Sequence, residues 1–168
     1  MQGLGIREQG LGLLILAMLL SGVAFAQDIQ MGARRPVGKE HVALLSDTVD
    51  VTPGKEQLVE LRFRVNPGFH INSHTPKDEL LIPTVLKLDT SSGIKVLDEK
   101  YPAGTSFRLT IGDGETLDVY QGEFRVLVKL SVGQGARDLT GLLRYQACDS
   151  AACFPPKSLL VRIALAGR

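Results

Sequence analysis

Leu58-Val59-Glu60-Leu61-Arg62-Phe63-Arg64-Val65-Asn66-Pro67-Gly68 is the stretch that decides the fold. Val59, Leu61, Phe63 and Val65 alternate with Glu60, Arg62 and Arg64. A period of two sends successive side chains to opposite faces, so this is a strand with one face in a core and one in water. Asn66-Pro67-Gly68 then supplies the fixed-φ and positive-φ residues of a turn. The same grammar recurs along the chain. Phe124, Val126, Val128, Leu130 and Val132 alternate with Arg125, Lys129 and Ser131, and Leu159, Val161, Ile163 and Leu165 close the chain in the same way. Phe107, Leu109 and Ile111 do so over a shorter length. Thr52-Pro53-Gly54, Ser91-Ser92-Gly93, Pro102-Ala103-Gly104, Gly112-Asp113-Gly114 and Gly133-Gln134-Gly135 mark further turns. Short strands with turns every ~8–12 residues predict an all-β domain, an immunoglobulin-like β-sandwich of about nine strands. Thr75 to Pro83 holds two prolines and a charged cluster. Proline cannot donate to a ladder, so this segment reads as a loop or an edge.

The N-terminus predicts export. Arg7 precedes an apolar run from Leu11 to Phe25, and Ala24-Phe25-Ala26 places small residues where a signal peptidase reads. That is a secretory signal peptide over 1–26, with cleavage before Gln27 and a periplasmic or secreted product. An uncleaved anchor is the alternative, since a membrane helix needs ~20 apolar residues. Residues 27–40 have no apolar period and read as a flexible leader, and residues 41–168 form the domain. With 19 Lys and Arg against 18 Asp and Glu, the chain offers no basic patch for nucleic acid. It contains no Trp, which also argues against a base-stacking platform.

The chain's two cysteines lie close together, in Tyr145-Gln146-Ala147-Cys148-Asp149-Ser150-Ala151-Ala152-Cys153-Phe154-Pro155-Pro156. In an oxidising compartment a disulfide is their expected resting state. Leu142 to Ala147 reads as one arm of a hairpin, Asp149 to Ala152 as its connection, and Phe154 onward as the return. Opposed residues there stand ~4.5–5.5 Å apart, within reach of a disulfide. Closing so short a loop is worth only ~2 kcal/mol on the chain-entropy account. A clip for stability and a redox centre are both open on spacing alone. No C-x-x-C at a helix start lowers a thiol pKa here. Asp149 disfavours a thiolate at its neighbour, while Arg144 and Lys157 are near enough in sequence to offset it. Such a dithiol needs a partner that binds and presents an activated sulfur.

Other chemistries are weakly signalled. His70 and His74 have the spacing of a helical zinc pair, but in an extended segment four residues separate them by ~13 Å. One histidine with both cysteines is the mixed metal set that spacing leaves open. His41 stands alone at a strand start and reads as a surface or half-buried residue. No nucleophilic triad, phosphate loop or glycosidase-like carboxylate pair stands out.

The Tyr145-Gln146-Ala147-Cys148 and Cys153-Phe154-Pro155-Pro156 elements resemble the N-terminal periplasmic domain of the thiol:disulfide interchange protein DsbD. So, in sequence order, do Pro67-Gly68-Phe69-His70-Ile71-Asn72-Ser73, Leu81-Ile82-Pro83-Thr84, Tyr101-Pro102-Ala103-Gly104 and Val119-Tyr120-Gln121-Gly122-Glu123-Phe124. The likeness spans roughly Val42 to Ala166. It implies an immunoglobulin-like sandwich with a reversible disulfide, acting as a component of a protein-disulfide reductase system. By the family's pattern Cys153 forms the mixed disulfide and Cys148 resolves it. A cap loop shields the pair in the family, which puts the cover here within Tyr101 to Glu115, with Phe107 or Tyr101 as the shield. His70 and Asn72 fall where the family places side chains beside the pair, and Tyr145 and Phe154 flank it in sequence. The implied partners are thioredoxin-like periplasmic proteins, with acceptors such as a disulfide isomerase or a cytochrome c maturation thioredoxin. No cofactor and no metal are implied. Four residues separate the cysteines here where some members have five, which alters the turn. The residues outside the likeness suggest no membrane or thioredoxin domain, so the expectation is that electrons arrive in trans. The competing expectation is a non-enzymatic immunoglobulin-like binding module with a purely structural disulfide.

Overall fold

The computed structural model describes residues 40–90, 93–109 and 114–167. The expected signal peptide and all but the last residue of the expected leader lie outside the described residues. Twelve strands follow in order: β1 (Val42–Leu44), β2 (Thr48–Val51), β3 (Glu56–Val65), β4 (His70–Asn72), β5 (Val85–Leu88), β6 (Ile94–Lys100), β7 (Thr105–Arg108), β8 (Thr116–Tyr120), β9 (Glu123–Val132), β10 (Asp138–Tyr145), β11 (Ala147–Cys148) and β12 (Lys157–Gly167). They form three four-stranded sheets, ordered β1-β3-β9-β6, β2-β12-β10-β5 and β11-β4-β8-β7. Among the described residues there is no helix, and none long and apolar enough to cross a membrane.

The first two sheets make an immunoglobulin-like sandwich. β3 and β9 pair antiparallel with Leu61 opposite Val126 and Phe63 opposite Phe124. The two phenyl rings stack with centroids 5.3 Å apart. From the second sheet Leu139, Leu143, Val161 and Ile163 face them, all fully buried in one cluster. Burying each such side chain contributes ~1.5–3 kcal/mol. The outward face of the first sheet is charged. Arg62 stands opposite Arg125, and the repulsion is relieved diagonally: Arg62 pairs with Glu123 at 2.9 Å and Arg125 with Glu60 at 3.3 Å. Exposed pairs like these are worth ~0–1 kcal/mol each.

Twelve strands appear where the sequence predicts about nine, because short pieces split off where the chain changes sheet. β1 joins β3 antiparallel, whereas β2, a few residues on, joins β12 in parallel. The second break corrects the expected hairpin. Leu142 to Ala147 is not one strand: β10 ends at Tyr145 in the second sheet, and β11 starts at Ala147 in the third. On the return arm Pro155 and Pro156 have no N–H to donate, and β12 begins only at Lys157. Thr75–Pro83 forms no strand.

The third sheet is therefore an end-piece built from continuations of the other two. β4 continues β3 through the turn at Gly68, whose φ of 86° suits glycine. β8 leads into β9 through Gly122, with φ of 61°, and β11 continues β10.

The chain's 3 tyrosines are all buried or half-buried and all hydrogen-bonded. Tyr145 accepts from the His41 amide at 3.3 Å. Tyr120 accepts from the His74 amide at 3.1 Å and donates to the Pro102 carbonyl at 2.9 Å. Tyr101 accepts from the Leu86 amide at 2.8 Å and donates to Glu99 at 2.9 Å. Burial pushes all three phenols above their ordinary value of 10.0. A raised folded pKa stabilises below the unfolded value and that contribution is lost as pH rises toward the folded one. An ultraviolet phenolate titration is thus expected to stay silent through pH ~10 and to appear in one step with alkaline unfolding. A phenol ionising independently near pH 10 would contradict this packing.

Candidate redox site

Cys148 and Cys153 are joined by a disulfide, with S–S 1.97 Å and Cα atoms 3.9 Å apart. The hairpin around them is two hydrogen bonds deep. The Asp149 amide donates to the Ala152 carbonyl at 3.0 Å, and the Phe154 amide donates to the Ala147 carbonyl at 2.8 Å. Cys148 and Cys153 oppose each other as an antiparallel bridge between those bonded pairs. That is the non-hydrogen-bonded position, where facing backbones come closest.

Asp149 builds the turn. Its Oδ1 accepts from the amides of Ala151 at 2.7 Å and Ala152 at 2.8 Å. Those two bonds hold its carboxyl below the usual range, so it is ionised beside Cys148. Aspartate folds back on its own backbone readily, which is why it nucleates so tight a connection. Arg144 and Lys157, the expected offsets, lie on β10 and β12 in the second sheet, outside the sheet that carries Cys148.

The two sulfurs are unequally placed. Cys148 is 1 % exposed, whereas Cys153 is exposed. Cys148 sits at the end of β11, and its ladder partner on β4 is His70. His70 is 2 % exposed, and its ring lies 4.2 Å from that of Phe107 on β7. Burial pulls the imidazole below its ordinary 6.5, and the weaker field of Asp149 pulls the other way. Asn72 is fully buried and ties two segments together. Its Nδ2 donates to the Ile82 carbonyl at 3.0 Å and to Gln146 Oε1 at 3.3 Å. Gln146 Nε2 in turn donates to the Phe154 carbonyl at 3.2 Å, so Asn72 and Gln146 brace both arms of the hairpin.

Of the two shield candidates, Phe107 lies against His70 and so on the cysteine side of the third sheet. Tyr101 stacks instead on His74, with centroids 3.7 Å apart and planes 2° from parallel. Residues 110–113, part of the expected cover, lie outside the described residues. Tyr145 points into the core. Phe154, next to Cys153, packs with Phe69 at 5.9 Å and with His41 at 5.0 Å. His41, expected at the surface or half-buried, is buried: its ring lies 4.4 Å from that of Phe69 and 5.0 Å from that of Phe154, and its amide donates to the Tyr145 hydroxyl. Sequence reading passed over Phe69 and Gln146 as individual contributors. The signal for both was their position, one residue before His70 and two before Cys148. His70 and His74 do not converge: His74 Nδ1 lies 2.9 Å from the Thr84 carbonyl. Among the described residues no three metal-ligating side chains cluster.

The buried histidine makes stability pH-dependent. With its folded pKa below 6.5, the unfolded chain takes up the proton first. The contribution is complete above pH ~6.5 and declines as pH falls toward the folded value. Urea midpoints measured across pH ~5–8 are expected to drop on the acid side, and His70→Phe is expected to flatten that limb. An unchanged limb in the variant would exclude His70 as its source.

The profile of the family "Thiol:disulfide interchange protein DsbD, N-terminal" matches residues 42–165, about three-quarters of the chain. The chain belongs to this family. Among solved structures, the Neisseria meningitidis DsbD N-terminal domain in its reduced form is similar at 21% identity and a TM-score of 0.43, covering 64% of this chain and 77% of that one. The N-terminal periplasmic domain of ScsB from Proteus mirabilis is similar at 20% identity and a TM-score of 0.46, covering 73% of this chain and 46% of that one. The present chain thus spans less than half of the ScsB chain. No curated protein sequence matches. Membership of the DsbD N-terminal family, with a disulfide on the third sheet, supports a general role in thiol-disulfide exchange and an interaction with thioredoxin-like proteins.

Proposed function

We propose that this chain is an exported, periplasmic thiol-disulfide exchange protein that passes reducing equivalents between thioredoxin-like partners. The observation that carries the reading is the unequal burial of the pair, Cys153 exposed and Cys148 1 % exposed. A partner's sulfur can approach Cys153, while Cys148 is held behind it for the second step. In the forward direction the reduced Cys153 thiolate attacks a partner disulfide. One partner sulfur leaves as a thiolate and a mixed disulfide forms. Cys148 then attacks Cys153 Sγ, expels the second partner sulfur as a thiolate and restores the Cys148–Cys153 bond. The partner gains two electrons and this chain loses two. Recharging reverses these steps with a reduced thioredoxin-like donor supplied in trans. A disulfide isomerase or a cytochrome c maturation thioredoxin fits as the acceptor. The signal peptide of residues 1–26 delivers the domain to that compartment.

Phe107, packed on His70, is the side chain best placed to cover the buried sulfur. Phe154 and Phe69 offer a partly exposed apolar rim beside Cys153 for a partner to bury. The test is covalent trapping. Reduced Cys148→Ser protein, mixed with an oxidised periplasmic thioredoxin-fold protein, is expected to accumulate a mixed disulfide through Cys153. Absence of any complex with every thioredoxin-fold protein tried would reject the proposal.

A further inference from the structure

His70 faces Cys148 directly across the β4–β11 ladder. Side chains of such a pair share one face, with Cβ atoms ~4.5–5.5 Å apart. The imidazole is 2 % exposed, and its Nε2 has no hydrogen-bond partner. Buried polar atoms are almost always satisfied, so an open one calls for a reason. The pair is oxidised here, and a disulfide sulfur has no proton to give. Reduction places an S–H donor on the ladder partner of the residue that carries that nitrogen. Two residues along β4, on the same face, Asn72 Oδ1 is also buried without a partner. The cysteine side of β4 thus carries two open polar atoms in a row.

We propose that His70 is the proton acceptor for Cys148 in the resolving step. This rests on the exchange reading above and adds a residue to it. A thiolate at Cys148 must form in a buried site next to the ionised Asp149, and both conditions oppose negative charge. The Cys148 thiol proton passes to His70 Nε2. The thiolate attacks Cys153 Sγ, the bond from Cys153 to the partner sulfur breaks, and that sulfur leaves with its electron pair. The imidazolium then releases its proton to the leaving thiolate or to solvent.

His70 is suited to this because it is neutral at neutral pH, burial disfavouring its charged form. The field of Asp149 stabilises the imidazolium once it forms. The other charged and titratable groups on the surrounding strands are engaged or exposed. On β8, Asp118 pairs with Lys77 at 3.6 Å and the Tyr120 hydroxyl donates to Pro102. On β7, Arg108 is exposed beside Phe107.

The test separates the two sulfur steps with a chromogenic aromatic disulfide, dithiobis-nitrobenzoate. Attack by Cys153 of the reduced protein releases one coloured thiolate, and resolution by Cys148 releases the second. In the wild type the second release is expected to lose rate only as His70 protonates, below the ordinary thiol range of ~8.5. In His70→Gln it should slow about 10²-fold at neutral pH, and its profile should move up to the thiol range, with the first release unchanged. His70→Phe keeps a ring against Phe107 and should behave in the same way. A second release whose pH profile is the same in the wild type and in either folded variant would overturn the assignment. So would a wild-type profile that follows only an ordinary thiol. Either outcome leaves the exchange reading standing if Cys148→Ser still traps a partner, and failure of that trapping removes the exchange reading itself.

Discussion

Cys153→Ser is expected to reduce exchange with thioredoxin-fold partners to the uncatalysed background. The hydroxyl left at the exposed position is no nucleophile toward sulfur, and the remaining Cys148 is 1 % exposed. Cys148→Ser should behave differently: its first step survives and the reaction stalls as a covalent complex. The contrast is what an ordered two-step exchange requires, because only one sulfur can be reached from solvent. Both variants lose the same short disulfide, worth ~2 kcal/mol, and Cys148→Ser also buries a hydroxyl, so stability alone would weaken the variant that is expected to trap rather than the one that is not. Mass spectrometry of the mixture distinguishes them directly. Equal trapping by both variants would mean that either sulfur can be attacked, and the assigned order would fall.

The largest loss of stability is expected from Phe63→Ala. Phe63 is fully buried near the C-terminal end of β3, opposite Phe124, and its ring stacks on that partner at 5.3 Å. Removing a buried phenyl costs ~3–5 kcal/mol, partly as lost transfer energy and partly as the cavity left behind. Domains of this size have ~5–15 kcal/mol in total, so the variant should be close to unfolding. The urea midpoint should fall steeply while the slope stays near the wild-type value. A loss under ~1 kcal/mol would mean that the two sheets do not meet at this ring.

Those same residues were the legible part of the sequence. Alternation through Val59 to Val65 and Phe124 to Val132 gives the strands, their buried faces and the sandwich, because period two is a local property. Sheet changes are not local. Nothing in Ala43-Leu44-Leu45-Ser46 says that β1 and β2 join different sheets. The break at Gln146 depends on Asn72, which is 74 residues away and hydrogen-bonded to its side chain. The cysteine pair was legible as a hairpin disulfide, since five positions of separation force proximity. The family likeness implies Cys153 as the exposed half, and the burial of Cys148 accompanies the pairing of β11 with β4, which comes from elsewhere in the chain. Tyr101 and Phe107 look alike in sequence as covers. Long-range geometry separates them, since Tyr101 is drawn to Leu86, Glu99 and His74. His41 was misread for the same reason, its burial resting on Phe69 and Phe154.

The central claim is that the Cys148–Cys153 bond is a working redox couple and not a clip. The most direct test equilibrates the folded protein with glutathione buffers of graded potential and follows the thiols by alkylation and the fold by circular dichroism. The account predicts interconversion of dithiol and disulfide within the range those buffers reach, above about −300 mV, with the β-sheet spectrum unchanged. A disulfide that stays closed in the folded protein, and opens only when denaturant is added, would contradict it.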